Sequence, residues 1–278
     1  MPWHTEKEKN EVRTSYGILA QLALPWATSK LYGNVADLDN VLRGPIPAGL
    51  EIPSEGLTIR HPDWDAMEAG NTLPKRTYDP QNFSEVLSPK IERLRSAIGA
   101  PEGVTVRTHV APLLHSAGTY VHDPKLPDKW VQLPAKGRAL DVLAHEFGHA
   151  TIDSKDGFGA LRKAFPGGRL AGLSNLVGWL GGAAIDPNDN TQAAGLLGAQ
   201  ALLHTPQLAE EGYASIRGLR GLRKMHEAGE LSEAALKAAK GRLLKAFGTY
   251  GAAAAGGLLG TAGLLAVRRG MADDAIGV

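Results

Sequence analysis

The chain has no cysteine among its 278 residues. That excludes a disulfide, a thiolate ligand and a cysteine nucleophile, so any bound metal must be held through nitrogen and oxygen. It also lacks a charge imbalance: 30 Lys and Arg against 29 Asp and Glu leave a net charge of +1. No strong field for nucleic acid follows, and no nucleic-acid partner is expected. Long uncharged runs are scarce. One, residues 246–267, is long enough to span a bilayer and ends at Arg268-Arg269, although its Gly/Ala content suits a buried soluble helix as well. Two shorter apolar runs, 173–185 and 193–203, fall below the ~20 residues a span needs. They predict either a buried or re-entrant helical hairpin at 172–204 or two membrane spans, folded about the polar turn Asp186-Pro187-Asn188-Asp189-Asn190. Glycine, by contrast, is abundant. Its 34 residues gather toward the C-terminal half among Ala and Leu, a bias suited to closely packed helices in a membrane or a tight bundle.

The first 83 residues show no period. Residues 1–15 mix charges of both signs and read as solvated. Residues 16–27 are a short apolar stretch interrupted by Gln21 and Pro25, a packing or interfacial helix rather than a cleaved signal peptide. Residues 33–82 are punctuated by pairs such as Gly44-Pro45 and Asp79-Pro80 and form an irregular arm. His61, Asp63 and Asp65 within it read as a polar loop, not a second metal site.

From Ser84 the pattern becomes regular. Ser84 caps an expected helix that runs to Ile98, where Gly99 and Pro101 stop it. Residues 104–110 alternate as a strand, 116–122 as a second and 130–133 as a third. The chain thus divides into an arm at 1–83, a domain at 84–245 that includes the hairpin, and a hydrophobic C-terminal helix and tail at 246–278. The fold class is α+β, a small sheet with helices.

Directly after the third strand comes His145-Glu146-Phe147-Gly148-His149. On a helix, two histidines four apart stand on one face and can reach one ion. The intervening Glu146 is offset around the helix, near a metal-activated water but outside the coordination shell. This is the zinc metallopeptidase pattern H-E-x-x-H, with Glu146 as general base. Leu140, Leu143, Phe147 and Ala150 form a second, apolar face, so the helix is expected to be buried on both sides. The second strand, with Gly118, Thr119 and Tyr120, takes the place of the edge strand on which zincins pair an extended substrate.

A catalytic zinc needs a third protein ligand. No histidine lies six residues after His149, so the metzincin pattern fails. Glu210 and Glu211 supply the alternative, a carboxylate from a downstream helix. Ser215, one turn beyond Glu211, is spaced to accept the free ring N–H of a ligating histidine.

The run Glu211-Gly212-Tyr213-Ala214-Ser215-Ile216-Arg217-Gly218-Leu219 resembles the E-x-x-A-S-x-x-A-L segment of the bacterial membrane-bound neutral zinc metallopeptidases. Gly229-Glu230-Leu231-Ser232-Glu233-Ala234-Ala235-Leu236 is similar to that family's G-x-L-x-x-x-E-L turn, and Thr249-Tyr250-Gly251-Ala252-Ala253 to its T-Y-V-A-A motif. The resemblance covers about residues 100–267. It implies a zincin-like, gluzincin-type core, one Zn2+ on His145, His149 and Glu211, a peptide or protein substrate, and membrane association through 246–267. Tyr213, His226 and Tyr250 are candidate stabilisers of the oxyanion. The long arm and the Ala/Gly-rich tail also suit a virion-associated or membrane-delivery protein on the same fold, within an oligomer or larger assembly. Glu146 argues against a metal-free pseudoenzyme.

Overall fold

The structure is a computed structural model that describes residues 45–52, 83–85, 88–109, 119–121, 129–134, 139–153 and 167–276. The apolar stretch 16–27, the trio His61, Asp63 and Asp65, and Gly118 lie outside these residues. The chain divides into two compact units. Of the described residues, 45–153 and 209–249 fall in one, and 167–208 and 250–276 in the other.

The first unit is built on four short strands: β1 (Phe83–Glu85), β2 (Val104–His109), β3 (Thr119–Val121) and β4 (Lys129–Pro134). Their order is β1-β2-β4-β3. β2 and β4 run parallel, and β1 and β3 pair antiparallel at the two edges. Together with the helices this is an α+β arrangement. Alternation in β2 turns Val104 and Val106 into the core, and Val131 and Leu133 of β4 join them.

Helix α1 spans Pro89–Ile98. It begins later than the pattern from Ser84 predicts, because Pro89 has no N–H for a helix interior but suits the first turn. Ser88, not Ser84, is the N-cap: its side chain accepts a hydrogen bond from Lys90 N–H at 3.3 Å. Ser84 belongs to β1, opposite Thr108. Gly99, at φ 76°, ends the helix.

Helix α2 spans Leu140–Asp153, and every residue from Leu140 to Ile152 is buried. Its two faces are therefore both covered, as the sequence pattern requires. Its start is tied to a segment that looked irregular in sequence. Leu50 and Ile52 enter the core, Glu51 bridges Ala139, and Leu140 N–H donates to Leu50 O at 2.8 Å. Residues 45–52 of the expected arm are thus part of the site's foundation.

Helix α3 spans Gly167–Ala184, α4 Asn190–Glu227 and α5 Glu233–Ile276. The polar turn between α3 and α4 falls where the sequence places it, and Asp189 Oδ1 caps α4 by accepting from Thr191 N–H at 2.8 Å. The second apolar run and the Glu211 segment, however, form one continuous helix of 38 residues with Pro206 inside it. The hairpin groups with the 250–276 part of α5, not with the sheet. Between Glu233 and Ala272, α5 is long and apolar enough to cross a membrane, judged by length and composition.

Candidate metal centre

Two helices make the centre, α2 and the 209–227 part of α4. They approach through paired small residues. Ala144 and Gly148 are four apart on α2; Ala214 and Gly218 are four apart on α4. A Cβ added at Gly148 would overlap the carbonyl of Ala214 and lie 2.8 Å from its Cα. One added at Gly218 would lie 2.7 Å from Ala144 O. Only hydrogen side chains at 148 and 218 let the backbones pass this closely. The contact seats His145 and His149 directly against Glu211 and Ser215.

Glu211 Oε2 lies 3.0 Å from His145 Nε2 and 3.3 Å from His149 Nε2. The two Nε2 atoms are 3.2 Å apart. The rings meet edge to face, with centroids 4.7 Å apart. Three ligand atoms on a tetrahedral ion with bonds of ~2.0–2.1 Å would be separated by about 3.3–3.4 Å. The observed triangle is that size to within a few tenths of an ångström. His145, His149 and Glu211 can therefore hold a metal ion.

The outer ring nitrogens are occupied by other groups. His145 Nδ1 lies 3.1 Å from Ser215 Oγ. His149 Nδ1 lies 3.3 Å from Glu210 Oε1, an electrostatic approach that is not aligned as a hydrogen bond. This separates the two adjacent acids: Glu211 faces both Nε2 atoms, whereas Glu210 faces the far side of His149. Both outer contacts fix the rings with Nε2 toward the shared point, the usual job of partners behind a metal ligand.

The electrostatics favour a cation at that point. Burial pushes the His149 imidazolium toward neutrality, but Glu211, with Glu210 and Glu146, outweighs it and raises the pKa to about 10. Burial would likewise raise Glu211, yet His149 and His145 hold it well below the usual carboxylate range. A group of acids that retains a proton so firmly also attracts a metal ion in its place.

Glu146 is buried and turned toward the sheet. Its Oε2 accepts a 2.7 Å hydrogen bond from the backbone N–H of Tyr120. β3 thus does stand at the sheet edge beside α2, and one of its amides holds the carboxylate. That amide was not apparent as a partner for Glu146 in the sequence, because side-chain spacing says nothing of where a backbone N–H points.

The three candidate oxyanion stabilisers have different surroundings. Tyr213 OH accepts from Arg217 Nε at 2.9 Å on α4 itself. His226 is not brought to the triad: it lies fifteen residues beyond Glu211, about 22 Å along the helix, with Nδ1 2.7 Å from Leu231 O in the turn before α5. Tyr250 falls in the other compact unit.

A buried ion pair supports α2 from below. Arg242 Nε of α5 donates to Asp141 Oδ2 at 2.9 Å, and its Nη1 to Pro45 O at 3.2 Å. These partners are far apart in sequence and had no local signal. No protein-family model, curated protein or solved structure matches the chain, so the functional reading rests on the residues and their geometry.

Proposed function

We propose that this chain is a zinc-dependent endopeptidase of the zincin type, anchored in a membrane through α5. The observation that carries the reading is the triangle of His145 Nε2, His149 Nε2 and Glu211 Oε2, with Glu146 fixed one residue away on α2. Two imidazoles and one carboxylate are a donor set that suits zinc and leaves a coordination position open. When bound, zinc would polarise a peptide carbonyl and acidify a water.

The chain's own residues supply the rest. Glu146 accepts the proton of the attacking water and delivers it to the leaving amine. Tyr120 N–H orients the carboxylate that does so. Ser215 and Glu210 keep the imidazoles in the tautomer and rotation the ion needs. β3 is the last strand in the sheet order, and an extended peptide would lie along it by strand addition. Burial of α2 on all sides lowers the local dielectric and strengthens each of these charge interactions.

The test is zinc content and casein cleavage of the wild type against Glu146→Gln. The reading expects equal zinc and no cleavage by the variant. Equal cleavage by both would remove the peptidase reading. A zinc-loaded wild type that cleaves no peptide library would favour the delivery-protein alternative.

A further inference from the structure

The unit formed by residues 167–208 and 250–276 is inverted in polarity. Several of its large apolar side chains point out: Leu202 and Leu259 are each 72% exposed. On α3, Leu173, Leu176 and Leu180 make an exposed stripe at helical spacing. Apart from Leu264 and Leu265 of α5, the unit's buried positions are polar or small. Ser174 is 0% exposed and Gln200 1%, and His204 and Thr261 are buried as well. A unit folded in water buries leucine and exposes glutamine. In hydrocarbon the preference reverses, because lipid tails are as apolar as leucine and polar groups must find partners within the protein.

Ser174, Gln200 Nε2 and Thr261 find partners, and these bonds join the three helices. Ser174 Oγ of α3 donates to Gln200 O of α4 at 2.9 Å. Gln200 Nε2 and Thr261 Oγ1 both donate to Gly257 O of α5 at 3.3 Å. Glycine makes the approach: a Cβ added at Gly257 would lie 2.7 Å from Asn175 Oδ1, and one at Gly178 would overlap Gln200 and Thr261. Small residues and shared hydrogen bonds at the seam are how helices associate in lipid.

Charge distribution agrees. Residues 170–185, 190–208 and 250–267 contain no Asp, Glu, Lys or Arg. Charges flank the stretches at both ends: Arg169, Glu210 and Lys245 on one side, and Asp186, Asp189, Arg268 and Arg269 on the side of the α3–α4 turn. At that turn Arg268 donates to the carbonyls of Gly182 and Ile185, and Arg269 to Pro187 O at 2.7 Å and Asn190 Oδ1 at 2.8 Å. With 18 residues, α3 is about 27 Å long at ~1.5 Å per residue, near the ~30 Å of a bilayer's hydrocarbon. In the most apolar 18-residue stretch of α5, 22% of the residues are buried, too few for the core helix of a soluble domain.

From these observations we infer that all three stretches, 170–185, 190–208 and 250–267, sit together in the hydrocarbon of a lipid bilayer. The leucines face lipid, the Ser174–Gln200–Thr261 seam is closed inside, and the 186–190 turn with Arg268 and Arg269 lies at the headgroup level. This deepens the membrane part of the proposed function and is independent of its peptidase part.

The absence of native cysteine makes the test direct. Single cysteines are placed at Leu176, Leu202, Leu259 and Asn188, one per variant. Each is reconstituted in phosphatidylcholine–phosphatidylglycerol vesicles and treated with N-ethylmaleimide, which crosses membranes but reacts with a thiolate in water. The expected result is at least tenfold faster modification of Asn188→Cys than of the other three, with all four equal after denaturation in detergent. If Leu176→Cys and Leu202→Cys react as fast as Asn188→Cys while Leu259→Cys is protected, the hairpin lies outside the bilayer and only the single-helix anchor stands. If the chain fails to float with vesicles, or is recovered soluble without detergent, the apolar face belongs to a protein partner and the membrane reading falls with the inference.

Discussion

Replacing Gly148 by alanine should separate the two helices that build the metal centre. The added Cβ would overlap the Ala214 carbonyl and stand 2.8 Å from Ala214 Cα. Ordinary contact begins near 3.4 Å, and both obstacles are backbone, so neither can rotate away. The helices must part by about 0.6 Å or more, whereas a metal site tolerates ligand errors of only ~0.2 Å. Glu211 rides on the same turn as Ala214 and moves with it. Displacing the carboxylate ligand should cost at least as much zinc affinity as losing an outer-shell partner, so a loss of about 10–100-fold or more is expected. The overpacking itself should destabilise by about 1–3 kcal/mol. Competition with a fluorescent zinc chelator reads the first effect and thermal denaturation of the metal-free protein the second. Gly241→Ala is the control: a Cβ there meets nothing within 4 Å. It should leave zinc affinity unchanged and stabilise α5 by about 0.5–1 kcal/mol, since glycine is the poorer helix former. A Gly148→Ala protein that binds zinc like the wild type would refute the close-crossing argument.

Glu211→Gln should lose zinc far more severely than Glu210→Gln, for which a drop of about 10–100-fold is expected from the loss of the His149 Nδ1 contact; chelator competition on the two variants side by side reads the difference, and equal losses would contradict the division of labour. Asp141→Ala leaves Arg242 buried and uncompensated and should cost about 3–5 kcal/mol in urea unfolding, with Asp141→Ala/Arg242→Met recovering part of it. The stability of the metal-free protein should depend on pH with a defined sign. The raised pKa of His149 gives a contribution fully present below its unfolded value of 6.5 and lost as pH rises through about 10. The depressed pKa of Glu211 gives one fully present above its unfolded value of 4.5 and lost as pH falls through the folded value. Melting curves of chelator-treated protein should therefore plateau between these unfolded values and decline toward pH 10, and the decline should flatten in Glu211→Gln.

Local patterns carried the legible part. The histidine spacing of α2 and the apolar positions Leu140, Leu143, Phe147 and Ala150 placed the helix and its double burial, because helical period is written in consecutive residues. Alternation likewise located β2 and β4. The start of α1 was misplaced where one local rule outranked another: Pro89 forbids the helix interior that the pattern from Ser84 requires. What the sequence could not show was long-range. Asp141 and Arg242 are 101 residues apart, and Leu50 reaches α2 through a backbone hydrogen bond that depends on no side chain. The small pairs Ala144/Gly148 and Ala214/Gly218 were visible individually, but that they face one another required the helices to be docked. The continuity of α4 through Pro206 joined two segments that composition separates, one apolar and one bearing the acids. His226, a candidate oxyanion stabiliser by sequence, serves the turn before α5.

The most direct measurement is the zinc K-edge absorption spectrum of the purified chain, with metal content determined on the same sample. The account expects one zinc per chain, with two nitrogen donors and one carboxylate oxygen at about 2.0–2.1 Å and one further light-atom position, and loss of the bound zinc in Glu211→Ala. Absence of bound zinc after loading at neutral pH, or an unchanged spectrum and stoichiometry in Glu211→Ala, would contradict it.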